Sequence, residues 1–172
     1  MKHVFSLLAL MASLSLAQGQ GFVANLDGPQ DGGGARQGSG TVNLTLTGTT
    51  LSLVGSYAGL TASATAGHIH GPGAPGVNKS VLYDLSGTGV LTVGATSGTF
   101  NGSVNLAPIG AYSVSQQIAD LDSGLWYLNI HNASFPGGEI RGQIQPVPEP
   151  STIALAALGL AGLLAFRARR AA

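Results

Sequence analysis

Apolar and polar residues alternate along much of the middle of the chain. Val42, Leu44 and Leu46 alternate with Thr41, Asn43, Thr45 and Thr47, and Leu51, Leu53 and Tyr57 resume the period after Gly48-Thr49-Thr50. A period of two sends successive side chains to opposite faces of a strand, so the two runs predict a hairpin with one apolar face. The same reading predicts strands at 22–26, 64–70, 80–85, 89–93, 98–106, 126–131 and 139–145, punctuated by Gly, Pro, Asn and Asp. Residues 27–40, with three successive glycines at 32–34, read as a loop. One stretch breaks the period: Val114, Ile118 and Leu121 fall at helical spacing, and Ser113 with Gln116 offers a capping box, which predicts a short helix over 113–121. About eight or nine short strands with one helix predict an all-β Greek-key sandwich or barrel.

Strand parity also sorts the polar residues. His68 and His70 share a face while Ile69 points to the core; on 126–131, Trp126, Leu128 and Ile130 point inward and Tyr127, Asn129 and His131 outward. On the next strand Ile140 and Ile144 face the core, and Glu139, Arg141 and Gln143 face out. One outward face is thus expected to gather His68, His70, His131, Glu139 and Arg141. A His-x-His pair on a strand plus a distant histidine can offer three imidazoles to zinc or copper, with Glu139 the expected oxygen neighbour. The same residues also suit an ordinary polar sheet face without any ion, so both readings stay open.

The two ends differ from the middle. Met1-Lys2-His3, an apolar run from Val4 to Ala12 and the small residues Ser15 and Ala17 predict a signal peptide over 1–17, cut by signal peptidase after Ala17. Residues 18–146 are left to form the β domain. The chain closes with Val147-Pro148-Glu149-Pro150, an uncharged run from Ile153 to Phe166, and Arg167, Arg169 and Arg170. That run has 14 residues, short of the ~17–25 of a usual span. Ser151, Thr152 and the stem of Arg167 bring it near the lower limit, predicting a membrane helix over 151–166 with the arginines on the cytoplasmic side.

Charged residues make up only 8% of the chain and glycine fills 27 positions, which excludes a coiled coil and a charged disordered chain. Within 18–146 the basic residues are Arg36, Lys79 and Arg141, against six carboxylates, so no basic surface exists for nucleic acid. Cysteine is absent, which removes disulfides, thiolate metal sites and cysteine nucleophiles. Gly71-Pro72-Gly73-Ala74-Pro75-Gly76 fits a dinucleotide fingerprint on paper, but its prolines and the lack of a following helical period make it a rigid turn. No Gly-x-Ser-x-Gly elbow or His-Glu-x-x-His helix occurs, and Asp84, Asp120 and Asp122 suggest no glycosidase pair.

Two blocks carry family resemblances. The tail of Pro-Glu-Pro, apolar run and arginine cluster over 147–172 resembles the PEP-CTERM sorting signal of Gram-negative bacteria. This resemblance implies a precursor anchored in the inner membrane, cleavage near Pro148-Glu149-Pro150 by an exosortase-type transpeptidase, and association with exopolysaccharide and the cell surface or matrix. Phe22–Gly28, Ala66-Gly67-His68-Ile69-His70-Gly71-Pro72-Gly73, Gly76–Asn78 with Val81–Leu85, Gly124–His131 and Phe135–Ile144 together resemble the CHRD domain first described in chordin. The first loop, Pro29–Gly34, and Asn132 depart from the usual pattern of that family. The resemblance implies a β-rich domain with no established enzymatic activity. The His-x-His strand is also similar, at fold level only, to the metal strand of copper-zinc superoxide dismutase. Three functions are therefore expected to compete: a non-enzymatic, surface-sorted binding module, a histidine-based zinc or copper domain, and a metalloenzyme of dismutase or oxidase type.

Overall fold

The protein is described here from a computed structural model, which covers residues 19–31, 35–148 and 150–171. Residues 1–17, Ala17 among them, lie outside the described residues, as do the loop glycines 32–34 and Glu149 of the sorting motif.

Eight strands form one sheet: β1 (Gln20–Asp27), β2 (Ser39–Thr47), β3 (Thr50–Ala58), β4 (Ala64–His70), β5 (Val81–Asp84), β6 (Gly98–Asn105), β7 (Tyr127–Asn132) and β8 (Ile140–Pro146). Their order is β5-β4-β7-β8-β1-β2-β3-β6, and every neighbouring pair is antiparallel. Residues 85–92 nearly close this sheet into a barrel. The Leu85 amide donates to the Gly67 carbonyl beside β5, whereas Val90 accepts from Asn101 and Thr92 donates to Thr99 on β6. The expected strand at 89–93 is accordingly reduced to an isolated bridge, Leu91 to Phe100. Gly89 and Gly94, both at positive φ, bound it and turn the chain away at each end.

The interior is filled as the alternation predicts. Phe22, Leu26, Leu44, Leu51, Leu53, Ile69, Phe100, Leu128, Ile130, Ile140 and Ile144 are all buried in one cluster with Trp126 and Leu121. The helix forms as α1, Val114–Asp122, and Ser113 caps it by accepting from the Gln116 amide at 3.2 Å. Only half of the capping box is made, because the Gln116 side chain donates to Asp120 instead. Buried Gln117 anchors the helix by donating to the Ala107 and Tyr112 carbonyls and accepting from the Tyr83 hydroxyl. A second helix, α2, spans Pro150–Ala171 with Arg169 and Arg170 in its last turn. It covers the apolar run and fits a membrane segment, although among the described residues no helix is long and apolar enough to cross a membrane.

One expectation is corrected. The polar face of β4, β7 and β8 is not open to solvent: every residue of β7 is buried, and Glu139 and Arg141 are 0% and 2% exposed. Loops form a second layer over it. Arg141 donates to Asn78 and to the Val77 carbonyl, Gln143 to the Gly73 carbonyl, and Asn129 to Asp31 and the Gly137 carbonyl. The polar side chains are buried because these loops supply their hydrogen-bond partners.

Candidate metal centre

Strand pairing brings the three histidines together. On β4 and β7, His68 lies opposite Asn129 and His70 opposite Tyr127, so His131, two residues beyond Asn129, is the diagonal neighbour of His68 on the same face. One ring nitrogen from each of His68, His70 and His131 falls within a sphere where all three lie within 4.8 Å of one another. His68 Nδ1 and His131 Nε2 are 3.1 Å apart.

The far side of two rings is fixed by backbone. His70 Nδ1 lies 2.8 Å from the Lys79 carbonyl and His131 Nδ1 lies 2.9 Å from the Pro136 carbonyl. A carbonyl can only accept, so both nitrogens carry the proton and both Nε2 atoms present lone pairs. His70 Nε2 is buried with no hydrogen-bond partner among the described residues, which is unusual for a buried polar atom and leaves a lone pair available to a ligand. The His70 ring stacks at 4° on Tyr127, whose ring also lies 3.4 Å beneath the Arg141 guanidinium.

Burial decides the charge of these rings. It pulls His70 down to about 4, with a smaller opposing effect from the Lys79 carbonyl and further lowering by His131, His68 and Arg141. His131 is lowered in the same way by burial, against the Pro136 carbonyl. Both are neutral at physiological pH, the form in which imidazole binds zinc or copper. At the exposed edge of the group, Asp84 places Oδ1 3.9 Å from His68 Nε2.

Glu139 does not turn toward the histidines. Its carboxylate accepts from the Gln37 and Thr61 amides and from the Asn132 side chain, tying together the loops before β2 and before β4 and the end of β7. Strand parity put Glu139 beside His131, but the side chain reaches past the barrel rim to three donors. Among the described residues the group of potential metal ligands consists of the three histidines. Arg141 likewise supports the site from behind Tyr127 rather than entering it. Sequence reasoning weighed Asp84 only as a glycosidase carboxylate and did not place it beside the histidines, although Asp84-Leu85-Ser86-Gly87 is a recognisable side-chain-capped turn in which Asp84 accepts from the Ser86 and Gly87 amides.

A nearly closed antiparallel barrel carrying a part-buried histidine cluster on the pairing of β4 and β7 defines a β-domain protein with a candidate metal centre. The chain belongs to the CHRD domain family, whose family model matches residues 22–144. A PEP-CTERM protein-sorting motif matches residues 146–170. Together they describe an exported, surface-sorted β-domain protein. Comparison with curated proteins and with solved structures gives no match.

Proposed function

We propose that this is a non-enzymatic, surface-sorted module of the envelope or extracellular matrix that binds zinc or copper(II) through His68, His70 and His131. The observation that carries the metal reading is the buried, partnerless His70 Nε2, on a histidine that shares with His68 and His131 a group whose ligand nitrogens lie within 4.8 Å of one another. A sheet needing only polarity would give that atom a donor; a metal site leaves it a lone pair. All-nitrogen ligation without thiolate suits zinc or copper(II).

Titration of the full chain with zinc and with copper(II) tests this. Wild type should bind one of them with Kd below about 10 μM, and His70→Ala should lose most of that affinity while keeping the β-rich circular dichroism spectrum. Absence of binding to both ions, or equal binding by the variant, overturns the metal reading. Turnover of superoxide by the copper-loaded chain would overturn the non-enzymatic part.

Delivery to the surface follows from the tail. Signal peptidase removes 1–17, α2 holds the precursor in the inner membrane, and an exosortase-type transpeptidase cuts near Pro148-Glu149-Pro150, releasing the domain to the exopolysaccharide. The motif, the apolar helix and the terminal arginines support this reading. Mass spectrometry of the surface-recovered protein should find it ending near Pro150; Phe166 and the arginines on mature material would contradict it.

A further inference from the structure

The hydrogen bonds among the three histidines constrain how an ion must enter. His131 Nδ1 is committed to the Pro136 carbonyl, so His131 Nε2 is an acceptor, and the 3.1 Å approach of His68 Nδ1 makes His68 the donor there. An ion bound at His131 Nε2 and His70 Nε2 cannot coexist with that proton. For His68 to join them through Nδ1, its proton must move to Nε2, on the opposite edge of the ring. That edge faces Asp84 Oδ1 at 3.9 Å, about 1 Å beyond a hydrogen bond.

Asp84 is built to wait there. The same Oδ1 is held by the Ser86 amide at 2.9 Å, the Ser86 hydroxyl at 2.8 Å and the Gly87 amide at 3.3 Å. These bonds, the Ser86 hydroxyl first, lower the titration of the carboxyl from its ordinary value. Lys79 and Pro136 already anchor the outer nitrogens of the other two rings by carbonyl oxygens; Asp84 is the matching acceptor for the third.

Resting on the metal reading above, we propose that the ion is bound in a mixed mode, by His68 Nδ1, His70 Nε2 and His131 Nε2, and that Asp84 is the positioning residue that makes this mode available by accepting the His68 Nε2 proton. Such outer partners typically change metal affinity by about 10–100-fold.

Two measurements on the full chain test it. Long-range proton–nitrogen correlation spectra report each imidazole tautomer directly. His70 and His131 should carry the proton on Nδ1 with and without zinc, whereas His68 should switch from Nδ1–H to Nε2–H when zinc is added. Asp84→Ala removes the acceptor for the His68 Nε2 proton; in a chain that keeps its β-rich circular dichroism spectrum, zinc affinity should fall about 10–100-fold. A His68 that keeps Nδ1–H in the zinc-loaded chain, or a folded Asp84→Ala variant with unchanged zinc affinity, overturns the assignment and leaves the three-histidine site standing. A wild-type chain that binds neither zinc nor copper(II) removes both.

Discussion

Replacing Glu139 with alanine removes the acceptor that two loops and the end of β7 share. The carboxylate takes the Thr61 amide at 2.9 Å and the Gln37 amide at 3.2 Å, and the Asn132 side chain as well. Asn132 keeps a second acceptor, the Ala62 carbonyl, so the amides of Gln37 and Thr61 are the groups stranded by the change. Hydrogen bonds to a charged group contribute about 1.5–3 kcal/mol each. Gln37 and Thr61 lie at the exposed rim, where water can replace part of the loss, so the lower end of that range applies. Glu139→Ala should therefore cost about 3 kcal/mol, roughly 10 °C in Tm for a domain of this size. Glu139→Gln preserves shape and one acceptor oxygen and should cost about half as much. Urea unfolding at pH 7 followed by Trp126 fluorescence measures both. The same variants decide the role of the residue: a clasp destabilises when cut but leaves zinc affinity intact in the folded protein. A Glu139→Ala chain within 1 kcal/mol of wild type, or a folded Glu139→Gln chain that has lost zinc, would refute the reasoning.

Other consequences are equally direct. In the metal-free chain His70 titrates near 4 when folded and near 6.5 when unfolded, so the unfolded state binds more protons between those values. Stability should be complete above about pH 6.5 and fall by about 3 kcal/mol as pH drops to 4; His70→Gln should flatten that slope, and an unchanged slope would contradict it. Gly142→Ala places a methyl group into the Asn25 backbone carbonyl across the β1–β8 pairing, and should cost about 3 kcal/mol or prevent folding; stability equal to wild type in thermal melts would show that the strands can separate. Gln117→Leu leaves the Tyr83 hydroxyl without its acceptor and the Ala107 carbonyl without its donor behind α1, while the Tyr112 carbonyl keeps the Ile109 amide, and should lower stability by about 2–4 kcal/mol in the same melts.

The chain announces its strands more clearly than its surfaces. Alternation in 41–57 and 126–145 is a local property, and parity alone puts His68 and His70 on one face, because side-chain period on a strand is fixed by backbone geometry. That His131 joins them depends on the register of β4 against β7, which no local pattern encodes. Burial of the polar face was invisible for a similar reason: it is created by loops 71–79 and 132–138 folding back to satisfy Arg141, Gln143 and Asn129. A polar side chain reads as exposed until its partners are known. Glu139 shows the limit of parity, which assigns a face to a residue but not the direction of a long side chain at the barrel rim. Residues 89–93 alternate like a strand yet form a single bridge, because the glycines at both ends bend the chain away.

X-ray absorption at the zinc edge of the full chain loaded with one equivalent tests the central claim most directly. A shell of nitrogen or oxygen neighbours at about 2.0–2.1 Å, with outer-shell scattering from three imidazoles in wild type and two in His131→Ala, is the result predicted by convergence of His68, His70 and His131. A shell dominated by carboxylate or water, or the same spectrum from both proteins, would contradict it.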